Sequence, residues 1–288
     1  MIPQFRNIVW QHAKEHGRHT LPWRKRTASP YAILVSEIML QQTQVNRVVP
    51  HYRNFLKRFP TVRSLANASL NDVLKAWQGL GYNRRGKMLH EAVRQIVKIH
   101  SGKVPRDAAS LEKLPGIGPY TAYAIVAFAY NEDTVFIETN LRTAVIHHFF
   151  PKREKVSDEE ILAILAKAFP KGKAREWYAA LMDYGSHLKR SGVRINNRSK
   201  EYVKQKTFRG SNREARGAVL KALMNGPQSA QKLYGLLGTE RKEQIKLALA
   251  TLVRDGMLQK EGRAYSVPTL GPISSARSRA RREVSQRR

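Results

Sequence analysis

Apolar residues recur at helical spacing over the first 190 positions, and no stretch before residue 255 alternates with period two. The body of the chain therefore reads as all-α. Phe5, Ile8, Val9 and His12 mark an opening amphipathic helix over 3–18. Tyr31 to Phe55 carries a helix whose apolar positions include Ile33, Leu34, Ile38, Met39 and Leu40. Further helices are predicted at 62–68, 70–77, 85–101, 108–113 and 119–130, with Ser69 and Ser110 where N-caps belong. After Asn140 the run LRTAVIHHFF continues as a helix, with His147 and His148 packed or facing solvent. Two more follow at 157–168, opened by a Ser157 and Glu160 capping box, and at 174–189.

The breaks in this pattern are as informative as the helices. LPWRKRTASPYA is a loop punctuated by Pro22 and Pro30. Gly79-Leu80-Gly81-Tyr82 interrupts the periodicity beside Arg84, Arg85 and Lys87, so Tyr82 is either a core tyrosine or an aromatic placed for insertion into a base stack. In LPGIGPYTA, Pro115 and Gly116 end a short helix, Gly118 is expected to take the positive φ of a close reversal, and Pro119 suits the next first turn. Such a turn is a plain helix connector or a seat for phosphate at a helix N-terminus. From Ser191 to Ser211 the composition shifts to a basic linker. Residues 212–267 then give three helices and a short hairpin over Glu261-Gly262, the order of a winged helix-turn-helix. Its third helix carries Arg241, Lys242 and Lys246, and such units bind either DNA or protein. The tail at 268–288 is rich in Arg and Ser and is expected to be disordered, attracting phosphates without reading sequence.

Charge narrows the function. Lys and Arg number 52 against 22 Asp and Glu, a net charge of +30 in 288 residues, which points to a polyanion and first to nucleic acid. A membrane partner is disfavoured, because no long apolar run is present. No signal-peptide pattern opens the chain, so a cytoplasmic, nucleoid-associated protein is expected. There is no cysteine, which excludes disulfides and any thiolate-held iron–sulfur or zinc site. No other ligand spacing suggests a metal.

LPGIGPYTA followed by the acidic residue of FIETN resembles the helix-hairpin-helix motif of DNA glycosylases related to endonuclease III. LPWRK at 21–25, SEIMLQQTQV at 36–45 and WQGLGYNRRGKMLHEA at 77–92 are similar to the adenine glycosylase, or MutY, branch in particular. The motifs stand in the family's order over residues 5–190. The resemblance implies a mainly α, two-lobed glycosylase domain over 1–190, with lobes at 23–133 and at 1–22 plus 134–190. The winged-helix-like domain would follow it. Most relatives hold a [4Fe–4S] cluster after the segment matching LMDYGSHLKR, and the absence of cysteine implies its loss here. The family's 8-oxoguanine-recognition domain is also not resembled by residues 212–267.

Breaking a glycosidic bond calls for an acid to protonate the leaving group and a carboxylate to stabilise the cationic sugar. Glu37 lies among apolar helical positions, where a carboxylate is costly unless paired or protonated; pointing to water beside Ser36 is the alternative. The resemblance assigns it the general acid's role. It places Glu138 at the motif's acidic position, where relatives almost always have Asp, and Asn140 beside the reacting centre. Tyr120 stands where bifunctional relatives keep a lysine, so Schiff-base strand cleavage is not expected. DNA contacts are implied for Gln41, Gln42, Tyr82, Arg84, Gly116, Gly118 and Thr121. Arg24 would contact the target base or a phosphate, or stay solvated. Asn83 replaces a tyrosine usual in the family. These features imply a monomeric, monofunctional glycosylase, without cofactor, that removes adenine mispaired with guanine or 8-oxoguanine from double-stranded DNA. The alternatives are thymine or uracil mismatch removal, or a DNA-binding protein that lost catalysis through Glu138.

Overall fold

The computed structural model describes residues 1–200 and 208–269. Eleven α-helices run through the first 200: α1 (Ile2–His16), α2 (Pro30–Leu40), α3 (Val45–Arg58), α4 (Val62–Ala66), α5 (Leu70–Trp77), α6 (Arg84–Ile99), α7 (Ala108–Glu112), α8 (Pro119–Tyr130), α9 (Thr139–Phe149), α10 (Asp158–Ala168) and α11 (Ala174–Arg190). After them come α12 (Asn212–Leu223), β1 (Gln228–Ser229), α13 (Ala230–Leu237), α14 (Lys242–Arg254), β2 (Gln259–Glu261) and β3 (Ala264–Ser266). The all-α body is as the periodicity predicts. Residues 201–207 of the basic linker and 270–288 of the tail lie outside the described residues.

Most starts follow from their caps. Ser69 Oγ accepts from Asp72 N at 3.0 Å and opens α5. Ser157 and Glu160 form the reciprocal box at α10. Ser110 does not cap: Asp107 Oδ1 accepts from Ser110 N at 2.8 Å, so the helix begins earlier and Ser110 lies inside α7. The single helix expected from Tyr31 to Phe55 is two. Gln41 to Gln44 offer no apolar face to bury, and Gln42 turns the chain with a φ of 54°. The two pieces differ accordingly, α2 being buried nearly all round and α3 on the side of Val48, Tyr52 and Phe55.

Two compact units result. The first holds 1–41, 105–113 and the described residues from 117 to 200. At its centre α2 packs on α8, both apolar on every face, with α1, α9, α10 and α11 completing the core. Arg6 ties α1 to the end of α10, its Nε donating to Ala168 O at 2.8 Å and Nη2 to Lys167 O and Phe169 O.

The second unit holds 42–104, 114–116 and 208–269. Phe55, Leu65, Trp77, Leu89, Val93 and Ile96 fill the core of α3–α6. The last three helices carry an antiparallel sheet ordered β1-β3-β2, with the hairpin turning at Gly262 as predicted. β1 is a two-residue strand before residue 255 that no alternation could reveal. The core of this module extends beyond residues 212–267. Leu70 and Leu74 of α5 are buried in one cluster with Val219, Leu220, Leu223, Leu249 and Leu252. Asn71 Nδ2 also donates to Met224 O at 3.2 Å, and Gln78 Nε2 approaches Met224 Sδ at 2.8 Å.

Candidate active site

Glu37, on the last turns of α2, is 7% exposed among Val35, Ile38 and Met39. Burial first, and the charge of Glu138 second, raise its pKa to about 8, against a lowering by Arg24. A carboxyl group so placed is protonated at neutral pH and can donate its proton, the property an acid catalyst needs.

Glu138 comes from the extended segment before α9 and is that helix's N-cap, with φ −141°. Its Oε1 accepts from Asn140 N at 2.7 Å and Leu141 N at 2.9 Å, and Oε2 accepts from Asn140 Nδ2 at 3.1 Å. The extra methylene relative to aspartate is accommodated by curling the carboxylate back over its own helix N-terminus. Burial raises its pKa; the Asn140 and Leu141 donors and the Lys189 ammonium oppose that rise. Burial lowers the pKa of Lys189, with the Glu138 charge acting the other way. Tyr120, on the first turn of α8, feels both carboxylates: burial, Glu37 and Glu138 all hold its phenol well above the usual range. Its ring meets Phe136 edge-on at 5.6 Å. Glu37, Glu138, Tyr120 and Asn140, singled out as the catalytic set, thus share the first unit, and the first three are electrostatically coupled.

Arg24 is engaged within the protein. Its Nη1 and Nη2 grip Asp183 Oδ2 and Oδ1 at 2.6 and 2.9 Å, and Nη2 also donates to Ala179 O at 3.2 Å. Arg18 adds N to Oδ2 at 2.8 Å and Nε to Oδ1 at 2.6 Å. Burial alone would raise the Asp183 pKa, but the Arg24 and Arg18 bonds hold it below the usual carboxylate range. The Arg24 guanidinium is therefore held in a buried ion pair and is not solvated as a free surface charge. Its charge reaches the chemistry by lowering the Glu37 pKa. Sequence reasoning missed Asp183 and Lys189, although a carboxylate at an apolar position of α11 is the same signal that marked Glu37.

The turn before α8 also departs from expectation in one detail. Gly118 is an extended N-cap with φ −90°, and the positive φ, 76°, belongs to Gly116. A Cβ at Gly116 would also lie 2.6 Å from Met88 Cβ, so glycine is required there on both counts. Gly118 and Pro119 are exposed, and no side chain caps the N–H groups of α8. Gln41 Nε2 donates to Thr121 Oγ1 at 3.1 Å. In the second unit Gln42 and Arg84 are exposed, and Tyr82 is half-buried with a φ of 48°.

The segment after α11 has no thiolate and does not fit a four-cysteine cluster. It is held instead by hydrogen bonds. Val156 N donates to Arg198 O at 2.9 Å and Lys200 N to Val156 O at 3.2 Å, making a parallel bridge of Val156 with Ser199. Thr143 Oγ1 donates to Asn196 Oδ1 at 2.7 Å, fixing the loop to α9. Among the described residues no three His, Asp or Glu side chains converge as metal ligands, and no helix is long and apolar enough to cross a membrane.

Residues 35–171 match the HhH-GPD superfamily base excision DNA repair protein family. An adenine DNA glycosylase of Mycolicibacterium smegmatis is 41% identical over 175 residues, 60% of this chain and 59% of that protein. The Rattus norvegicus adenine DNA glycosylase is 42% identical over 144 residues, 47% of this chain and 28% of the relative. The chain thus spans less than two thirds of the length of these relatives. Among solved structures, a thermostable thymine-DNA glycosylase superposes with a TM-score of 0.54 at 23% identity, over 64% of this chain and 87% of the other. A non-covalent endonuclease III–DNA complex also gives 0.54, at 20% identity over 63% and 84%. These two likenesses establish the fold.

Proposed function

We propose that the chain, whose residues 35–171 match the HhH-GPD superfamily base excision DNA repair protein family, is a monofunctional DNA glycosylase releasing adenine mispaired with guanine or 8-oxoguanine. The observation that carries this reading is the pairing of two carboxyl groups in unlike surroundings. Glu37 is buried, without a hydrogen-bond donor among the described residues, and stays protonated up to about pH 8. Glu138 is also buried, which raises its pKa, but three N–H donors and the Lys189 ammonium oppose that rise and favour its ionised form. Two groups set apart in this way divide the labour of glycosidic cleavage.

In this mechanism Glu37 protonates the departing base, and the carboxylate of Glu138, oriented by Asn140, stabilises the positive charge that develops on the sugar. Water completes the hydrolysis. Tyr120 supplies no amine, and its phenol remains neutral, so the covalent route to strand cleavage is closed. The exposed N-terminus of α8 offers backbone donors and a helix dipole to a phosphate. Gln42, Tyr82 and Arg84 serve the opened duplex, from which the target base must first be extruded. The partner is double-stranded DNA, the protein acts as a monomer, and no iron is required.

The adenine branch is favoured over thymine or uracil removal by the SEIMLQQTQ run that carries Glu37. A single-turnover assay on duplexes with A, T, U or hypoxanthine opposite G or 8-oxoguanine, followed by alkali, tests the reading. Alkali-labile sites from adenine alone are expected. Release of T or U in their place would assign the other branch, and no release at all would leave a DNA-binding protein.

A further inference from the structure

Tyr82 ends a turn in which Gly79, Gly81 and Tyr82 itself all have positive φ, 91°, 74° and 48°. Two guanidinium groups, Arg85 and Arg213, each lie 5.3 Å from its ring centroid. Arg85 is anchored locally, Nη2 donating to Thr43 Oγ1 at 2.9 Å and to Gly81 O at 3.3 Å. Arg213 reaches the ring from 131 residues away, and its Nη1 donates to the Tyr82 hydroxyl oxygen.

The position of Arg213 is electrostatically unfavourable by local rules. It sits in the first turn of α12, where a cation opposes the helix dipole. Among the groups that offset this are the ring and hydroxyl of Tyr82 and the Phe208 ring at 6.0 Å. The helix that bears Arg213 is itself fixed, because Ala215, Val219, Leu220 and Leu223 are buried in one cluster with Leu70 and Leu74. The pose of Tyr82 is thus set by the C-terminal module, through a group that fills the accepting side of its hydroxyl and leaves the O–H free to donate.

We propose that Arg213 is a positioning residue for Tyr82, so that the C-terminal module acts in base extrusion by holding the inserting aromatic rather than through its third helix. An aromatic that enters a base stack gains from a locked pose, since ordering it at the moment of insertion costs entropy. The inference rests on the reading of the chain as a base-extruding enzyme. It does not depend on which base is removed.

The test is stopped-flow fluorescence of 2-aminopurine placed next to the mispaired adenine, which reports unstacking whether or not a bond is cleaved. In the full chain Arg213→Ala is expected to slow unstacking about tenfold, the scale of one lost charged hydrogen bond. Thermal midpoint and affinity for matched duplex should be unchanged. Tyr82→Phe, which keeps the ring beside both cations, should also slow unstacking. In a Tyr82→Ala background Arg213→Ala should have no further effect. Unstacking at the wild-type rate in Arg213→Ala overturns the inference, as does an equal loss in the Tyr82→Ala background. A wild type that unstacks the duplex without releasing adenine would sink the proposed reaction and leave the role of Arg213 standing.

Discussion

Gly185 on α11 lies so close to Asn140 on α9 that a Cβ at position 185 would sit 2.0 Å from the Asn140 carbonyl oxygen. The residue that orients Glu138 is therefore seated directly on the backbone of the helix that also carries Asp183 and Lys189. Gly185→Ala must push α9 away. It should destabilise the fold by about 1–3 kcal/mol, as overpacking does. A displacement of about 1 Å at Glu138 should also slow excision on the order of 10²-fold. Thermal unfolding and single-turnover rates measure the two effects; a variant active at the wild-type rate would detach Asn140 from the chemistry.

Glu37 gives a pH dependence of definite sign. Its pKa of about 8 in the folded protein lies above the ordinary 4.5, so the native state holds the proton more tightly. Excision should decline above about pH 8 as Glu37 loses its proton, and also at low pH as the Glu138 carboxylate, whose pKa burial raises, takes one up. Stability from this group is full below about pH 4.5 and is lost as pH rises to 8. Glu37→Gln should abolish the alkaline limb and lower excision by roughly 10²-fold or more while binding persists. Its advantage in unfolding free energy over wild type should grow by about 2–4 kcal/mol between pH 5 and 8.

Arg24 modulates that titration. Arg24→Ala removes both a partner of buried Asp183 and a positive charge felt by Glu37. A loss of about 3 kcal/mol in stability is expected from breaking the pair. The alkaline limb of excision should move to higher pH. A limb that stays in place would show that Arg24 and Glu37 are not coupled.

For Glu138 the cap geometry separates charge from structure. Glu138→Gln keeps an acceptor for the α9 N–H groups but has no charge for the developing cation, so excision should vanish with binding and fold intact. Glu138→Asp should remain active but be impaired on the order of 10²-fold, because the backbone is set for the longer side chain. An inert wild type made active by Glu138→Asp would identify the scaffold as a binding protein.

Much of this was legible in the sequence, for reasons particular elements make plain. Apolar periodicity located α5 to α11 because each buries one face or all of them. The capping box of Ser157 and Glu160 is local chemistry and was readable as such. Glu37 stood out because a carboxylate in an apolar run needs a reason. What was hidden depends on partners remote in sequence. Arg24 reads as a surface charge until Asp183 is seen beside it. Gly116, and not Gly118, takes the positive φ and also lies where Met88 leaves no room for a Cβ. The break of α2 from α3 rests on Gln42, a residue type that carries no turn signal.

The shared core of α5 and the C-terminal helices has a consequence for how the chain comes to be folded. Asn71 and Met224, bonded to each other, are separated by 153 positions. Contacts of such sequence separation close late, since loop entropy must be lost before they contribute. During synthesis Leu70 and Leu74 emerge long before the residues that cover them, so this flank of the second unit waits, apolar and open, for α12 to α14. Completion of this lobe is thereby tied to the synthesis of α12 to α14. A chain cut short before α12 should expose α5 and associate, and not persist as a smaller folded protein.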